Sequence, residues 1–235
     1  MGRRWHQLSD AFQVLGGIHA SFLPDEAGEH ADTVVIGEAE ETWPRLIADL
    51  KENRLQKRYE QGGRLPLNNL PIPRRSLFAE GAYIIKNTLA ATRGCPYSCS
   101  FCSVSSFFGR TYRCRPVQDV VKELDTFNGG KYYFFVDDNI VGNPKFAKEL
   151  FRAMIPYKIK WFGQASVTIA KDDELLELAA ASGCIGLLHT VPPSLAGCSF
   201  APVCRCRHRA SRRLPSALPS SRNFPTVSRS ILRCR

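Results

Sequence analysis

Cys95, Cys99 and Cys102 fall within one short run, Arg93-Gly94-Cys95-Pro96-Tyr97-Ser98-Cys99-Ser100-Phe101-Cys102. Three thiolates at this three-then-two spacing can hold three irons of a four-iron cluster. The fourth iron is then left without a protein ligand, whereas an electron-transfer cluster normally has a complete set of cysteines. A small molecule can bind that open iron, so the spacing points to chemistry at the cluster. Other uses of the cysteines fit less well. A structural zinc site needs four ligands, usually from two short Cys or His pairs, and no second pair lies near in the pattern of strands and helices. A disulfide framework suits short secreted chains, but Met1-Gly2-Arg3-Arg4-Trp5-His6-Gln7 lacks the apolar core of a signal sequence. Cys99 and Cys102 alone have the spacing of a thioredoxin-like pair, which leaves Cys95 surplus.

The elements that must position this loop alternate strand and helix, the pattern of a parallel sheet built from β-α units. Leu89 to Thr92 reads as strand one. Val117, Val120, Val121, Leu124 and Phe127 give a helix with one apolar face. Lys131 to Val136 is a dense apolar run suited to a strand covered on both sides. Phe146, Leu150 and Met154 mark a second helix, Lys160 to Ser166 a third strand, and Leu175, Leu178 and Ala179 a third helix. A fourth strand starts at Cys184 and is expected to break off between Gly186 and Thr190. Upstream, Gln13-Val14-Leu15 and Thr33 to Ile36 read as buried strands ending in Gly16-Gly17 and Gly37. A helix follows with Trp43, Leu46, Ile47 and Leu50 on one stripe, its start favoured by Glu38, Glu40 and Glu41. Residues 62–84, with Pro66, Pro71 and Pro73, read as a linker.

The Cys-x3-Cys-x2-Cys motif, the strand Thr88 to Thr92 before it, the preceding Arg93-Gly94 and the aromatic Phe101 before the last cysteine resemble the radical S-adenosylmethionine (radical SAM) enzymes. The segment from Val14 to Ser21 through Gly37-Glu38-Ala39-Glu40-Glu41 resembles the end of the cobalamin-binding domain that precedes the barrel in one class of them. The resemblance implies an α/β fold: a partial (β/α) barrel over residues 85–190, preceded over 1–61 by the C-terminal part of a flavodoxin-like domain. The family barrel has about six units, so roughly half is expected here, with the chain truncated at its N-terminus.

The resemblance also implies a [4Fe-4S] cluster on Cys95, Cys99 and Cys102, with S-adenosylmethionine chelating the open iron and cleaved reductively to a 5′-deoxyadenosyl radical. Cobalamin-dependent methyl transfer belongs to the same class. Phe101 is implied near the adenine, ordinary core packing being the other reading. In β/α barrels the reacting groups gather at the C-terminal ends of strands, which selects Asp137, Asp138 and Asn139 after strand two and Gln164 and Ser166 after strand three. Asp137 or Asp138 facing the ammonium of S-adenosylmethionine is electrostatically reasonable; alternatively Asp138 and Asn139 shape a turn and cap the helix at Pro144. Gly16 and Gly17 let a backbone approach cobalamin closely or simply form a turn, and residues 1–61 are not expected to bind cobalamin alone. His19 and His30 read as solvated loop histidines. Arg110, Arg113 and Arg115 either grip a substrate anion or form a solvated loop surface, and Cys114 and Cys184 read as free, buried thiols. The implied partners are a small-molecule substrate and an electron donor such as a flavodoxin or ferredoxin, in the cytoplasm. The alternative is a non-catalytic iron-sulfur-binding remnant.

The 235 residues, 44% of them hydrophobic, suffice for a packed core, and no run approaches the apolar length of a membrane span. The formal charge of +10 would ordinarily suggest a nucleic-acid partner. However, nine arginines (205, 207, 209, 212, 213, 222, 229, 233 and 235), with no Lys, Asp or Glu, follow Thr190. Almost all the excess charge therefore sits in residues 191–235, and no nucleic-acid partner is expected. That Ser-, Pro- and Arg-rich stretch shows no helical or strand period and is expected to be disordered, with the composition of a coding frame shifted after about Gly186.

Overall fold

Two largely parallel sheets arise, most of their strands at the expected apolar runs; Arg58–Glu60 adds a strand that was not expected, and Leu15, expected to be buried, is 39% exposed. The computed structural model describes residues 11–79, 83, 85–127, 130, 132–190 and 200–201. The arginine-rich tail, and with it the shifted-frame expectation, lies almost wholly outside the described residues. In the first sheet β1 (Val14–Leu15) leads through the short helices α1 (Gly17–Phe22) and α2 (Pro24–Gly28) to β2 (Thr33–Ile36). Helix α3 (Thr42–Lys51) then connects to β3 (Arg58–Glu60). The order is β1-β2-β3, all parallel. Successive residues of a strand face opposite sides. Accordingly Val34 packs with Ala20 and Ala27, while its neighbour Val35 packs with Leu46 and Tyr59. The stripe on α3 is rotated from the one expected: Leu46 is buried but Trp43 is 47% exposed. Thr42 and Asp49 go inward instead. Asp49 can be buried because the Tyr59 hydroxyl donates to it at 2.9 Å and Arg54 pairs with it at 3.1 Å.

Residues 62–79 do not behave as a free linker. Leu67 is buried, Asn69 N–H donates to Asp119 at 3.0 Å, and Arg75 donates to Thr88 O. The chain then enters β4 (Thr88–Leu89) and β5 (Thr92–Gly94). Helix α4 (Ser103–Phe107) and β6 (Tyr112–Cys114) follow, and α5 (Val117–Asp125) leads to β7 (Tyr133–Phe135). After α6 (Pro144–Met154) come β8 (Trp161–Gln164), α7 (Asp173–Ala181), β9 (Cys184–Thr190) and β10 (Phe200–Ala201).

The second sheet has the order β10-β9-β8-β7-β4. Its members β4, β7, β8 and β9 are parallel neighbours in chain order, as successive barrel strands are, and β10 is an antiparallel edge. One face is filled by Phe135, Trp161 and Leu187 against Val120, Leu124, Ala147, Leu150, Phe151, Met154, Leu175 and Ala179. The helix stripes thus fall where their 3.6-residue period put them. Strand β9 runs to Thr190, at the far end of the range expected for it, and stays paired to β8 through Leu188. Helix α6 is capped by Asn143, whose side chain accepts from Phe146 N–H at 3.2 Å, and not by Asp138 or Asn139. No described helix is long and apolar enough to cross a membrane.

Candidate cluster site

Strand one is divided where sequence reasoning expected it to be continuous. After β4 the backbone leaves the barrel sheet, and β5 pairs antiparallel with β6 through Thr92–Cys114, Arg93–Arg113 and Gly94–Tyr112. The cysteine loop and α4 are therefore the connection of a two-stranded ribbon at the C-terminal end of β4. Gly94 is required at its mouth. Its φ is +85°, and a Cβ there would lie 2.2 Å from Thr111 O.

The register sets Arg93 directly opposite Arg113, a like-charge pair that would weaken a bare ribbon. Carboxylates from the loop after β2 compensate. Glu38 pairs with both Arg113 and Arg93, and Glu40 with Arg93; Arg113 also donates to Leu65 O at 2.6 Å. Burial pushes the Glu38 and Glu40 carboxyls up, but Arg113 and Arg93 outweigh it and leave both below the usual carboxylate range. These acids therefore join the first sheet to the ribbon instead of serving the start of α3. Phe22 of α1 meets Phe107 of α4 edge-on, with ring centroids 6.0 Å apart, at the same boundary.

Cys95, Cys99 and Cys102 are half-buried free thiols. Burial raises the Cys99 thiol, and the neighbouring Cys102 and Cys95 raise it further, so the three share one electrostatic neighbourhood. Among the described residues no three His, Cys, Asp or Glu side chains gather closely enough to hold one metal ion. Three thiols on one loop are a donor set that a cuboidal cluster can take, each thiolate at a different iron. Backbone turns hold the loop, with Cys102 N–H donating to Cys99 O at 3.1 Å, and Tyr97 reaches Thr168 beyond β8 at 3.4 Å.

The acidic pair after β7 faces the ribbon. Asp137 is 1% exposed and accepts from Ala91 N–H at 3.1 Å and from the Thr92 hydroxyl. Burial pushes its pKa up to about 6 despite those donors. Asp138 is half-buried; burial raises its carboxyl while the Gly94 N–H opposes the rise. Both carboxylates hold the backbone that leads into the cysteine loop, and the acceptors of Asp137 are already occupied. Asn139, 2% exposed, places its Nδ2 3.8 Å from Cys95 Sγ. Gln164, at the C-terminal end of β8, is exposed, and its carbonyl accepts from Ile140 N–H at 2.9 Å.

Phe101 is 54% exposed, which removes the core-packing alternative for it. Gly16 and Gly17 are exposed after β1, and a Cβ on Gly17 (φ +87°) would meet nothing within 4 Å. His19 is exposed and lies 3.3 Å from Glu26. Neither an anion grip nor a solvated surface describes Arg113 and Arg115. Arg113 is bound to Glu38, and Arg115 is buried against Glu123 at 2.6 Å and Ala90 O at 2.8 Å, with Arg75 on the other oxygen of Glu123. Only Arg110 stands exposed. Cys114 is half-buried, with burial and then Asp137 pushing its thiol up to about 11, and Cys184 is in the core. Sequence reasoning missed the ribbon and its ion pairs. The rule that selects strand ends did include Asn139, but nothing in the sequence linked it to Cys95.

Residues 89–197 match the Radical SAM superfamily. The chain is 31% identical over 180 residues to bacteriochlorophyllide d C-12(1)-methyltransferase of Chlorobaculum tepidum, covering 73% of this chain and 40% of that protein. It is 31% identical over 195 residues to hopanoid C-2 methylase of Rhodopseudomonas palustris, covering 75% of this chain and 35% of that protein. The structure is similar to that of TsrM from Kitasatospora setae, a radical S-adenosylmethionine methyltransferase solved with tryptophan and a SAM analogue. The TM-score is 0.65 at 19% identity, over 83% of this chain and 44% of that one. TsrM solved with cobalamin and a [4Fe-4S] cluster matches with a TM-score of 0.60 at 18% identity. The chain spans at most about two fifths of the length of these curated relatives. A run of parallel strands in barrel order, a three-cysteine loop after the first of them and the match over residues 89–197 together place the chain in the radical SAM superfamily, a superfamily of enzymes, with methyltransferases among its relatives.

Proposed function

We propose that Cys95, Cys99 and Cys102 hold a [4Fe-4S] cluster and that the chain binds S-adenosylmethionine beside it for reductive cleavage to a 5′-deoxyadenosyl radical. The observation that carries this reading is the set of three free, half-buried thiols on one loop at the C-terminal end of β4, with Cys102 and Cys95 both close enough to Cys99 to raise its thiol. When bound, the cluster supplies the electron for the cleavage. The chain's own residues shape and shield the place. Asp137 and Asp138 fix the backbone at the loop's mouth, Gly94 makes the turn, and the ion pairs of Glu38 and Glu40 hold the ribbon against the first sheet.

Phe101, exposed beside Cys102, is proposed to lie over the adenine, and Gln164 to meet the cosubstrate or substrate. Residues 1–61 then form the end of a cobalamin-binding unit, joined by 62–84 to the barrel segment 85–190. Gly16 and Gly17, exposed at the C-terminal end of a parallel strand, occupy the side on which open α/β sheets bind ligands. A small-molecule substrate, a reduced flavodoxin or ferredoxin as donor and a cytoplasmic setting complete the proposal.

Anaerobic reconstitution with iron and sulfide should give about four irons per chain, and Cys99→Ala should reduce this to background. Unchanged iron in the variant would refute the ligand assignment. Incubation of the reconstituted chain with S-adenosylmethionine and a strong reductant should release 5′-deoxyadenosine. A cluster that forms without such release would favour the non-catalytic alternative.

A further inference from the structure

Asn139 sits at the crossing of three segments that the cluster site needs. Its Oδ1 accepts from Ser166 N–H at 2.9 Å, and its backbone carbonyl accepts from the Tyr112 hydroxyl at 2.8 Å. The Ser166 amide can only donate, so the side-chain atom facing it must be the oxygen. This chemistry fixes the orientation of the Asn139 amide. The nitrogen is thereby turned to the other side, where it lies 3.8 Å from Cys95 Sγ. The donor side of the contact is closed to water, Asn139 being 2% exposed, while Cys95 is half-buried. The backbone on either side is pinned as well, by Ile140 N–H on Gln164 O at 2.9 Å and Gly142 N–H on Asn139 O at 3.0 Å.

We propose that Asn139 is a positioning residue whose amide N–H, held by Ser166, hydrogen-bonds the Cys95 sulfur and raises the reduction potential of the bound cluster. The inference rests on the cluster assignment above. A reduced cluster carries one more negative charge than an oxidised one and places more of it on the ligand sulfurs. A donor aimed at sulfur therefore stabilises the reduced form more than the oxidised form, and hydrogen bonds to ligand sulfurs are among the features that set cluster potentials. Because the donor is buried and already oriented, no water can replace it at equal cost. Asn139 links this sulfur to β8 through Ser166 and to the ribbon through Tyr112, so the same residue also holds Cys95 in register with two neighbouring elements.

The test compares the reconstituted wild-type chain with Asn139→Ala, Asn139→Asp and Tyr112→Phe by anaerobic redox titration, monitored by electron paramagnetic resonance, with iron and sulfide measured on each sample. Asn139→Ala removes the side-chain donor and acceptor, and Asn139→Asp keeps an acceptor for Ser166 while losing the amide. Both should make the cluster harder to reduce, by about tenfold in the reduction equilibrium, which for one electron is about 59 mV. Tyr112→Phe removes the bond to the Asn139 carbonyl without touching the sulfur contact, and should leave the potential where it was. Full clusters with equal potentials in all four chains would overturn the proposal while leaving the cluster assignment intact. An equal fall in Tyr112→Phe would overturn it in favour of general loosening. Loss of the cluster from both Asn139 variants but not from Tyr112→Phe would make Asn139 a requirement for assembly instead. Absence of a cluster from the wild-type chain would refute the functional reading itself.

Discussion

Asp137 keeps its carboxyl inside the protein on two donors from the β4–β5 segment, and burial still pushes its pKa up to about 6. The sign of the linkage follows. Between about pH 4 and 6 the folded chain retains a proton that the unfolded chain has released, so this group's contribution to stability falls as pH rises through that window. Glu38, Glu40, Asp119 and Asp172 are shifted downward and act in the opposite sense at lower pH. The difference between the native chain and Asp137→Asn isolates this carboxyl's contribution. Measured by urea unfolding, the native chain should lose roughly 2–3 kcal/mol relative to the variant on going from pH 4 to pH 7.5. A pH-independent difference would show that Asp137 does not titrate in this way. The adjacent acids were legible in sequence as a polar patch at a strand end. Their direction, toward the ribbon, was not, because it depends on amides 45 or so residues away in the chain.

The ribbon of β5 and β6 is the element that presents the cysteines, and its geometry depends on Gly94. Replacement by Ala would force a Cβ to within 2.2 Å of Thr111 O while φ stays at +85°. The left-handed conformation alone costs about 1–2 kcal/mol for a residue with a side chain, and the clash adds to it. Gly94→Ala should therefore lower the thermal midpoint and reduce iron retention after reconstitution. Retention equal to wild type would mean that the loop tolerates a displaced β5. Hydrophobic period was enough to predict α5, α6 and α7, because each buries one stripe against the sheet and the stripe is written locally. It was insufficient for the ribbon, whose three-residue strands carry arginine on both sides and pair across the whole cysteine loop. Trp43 shows the same limit in the first sheet, where buried Asp49 and its partners set the rotation of α3.

Across the whole molecule, the first sheet and the barrel segment meet through charge as much as through apolar contact. Glu38 and Arg113 are both mostly buried, and Arg93 and Glu40 extend the pair into a network. Removing Arg113 leaves Glu38 with Arg93 alone, at 3.3 Å, so the loss should stay below the roughly 3–5 kcal/mol of a buried pair broken outright. Arg113→Ala should lower the unfolding midpoint accordingly and speed proteolytic cleavage within residues 62–79. Glu38→Gln combined with Arg113→Ala should recover part of the loss, since no charge is then stranded. A double variant no more stable than Arg113→Ala would show that the network is not the tie between the two sheets.

The sequence by itself determined what its local chemistry encodes. The cysteine spacing put three thiols on one loop, the apolar runs specified parallel strands with covering helices, and the motif specified the superfamily that the matched residues bear out. Tertiary structure alone decided which carboxylates meet which arginines, that β5 leaves the sheet to pair with β6, and that Asn139 turns its amide to Cys95. Periodicity and spacing act over a few residues of chain. Ion pairs, register and the aim of a buried amide are fixed by groups 18 to 75 residues apart, and only the folded chain brings those together.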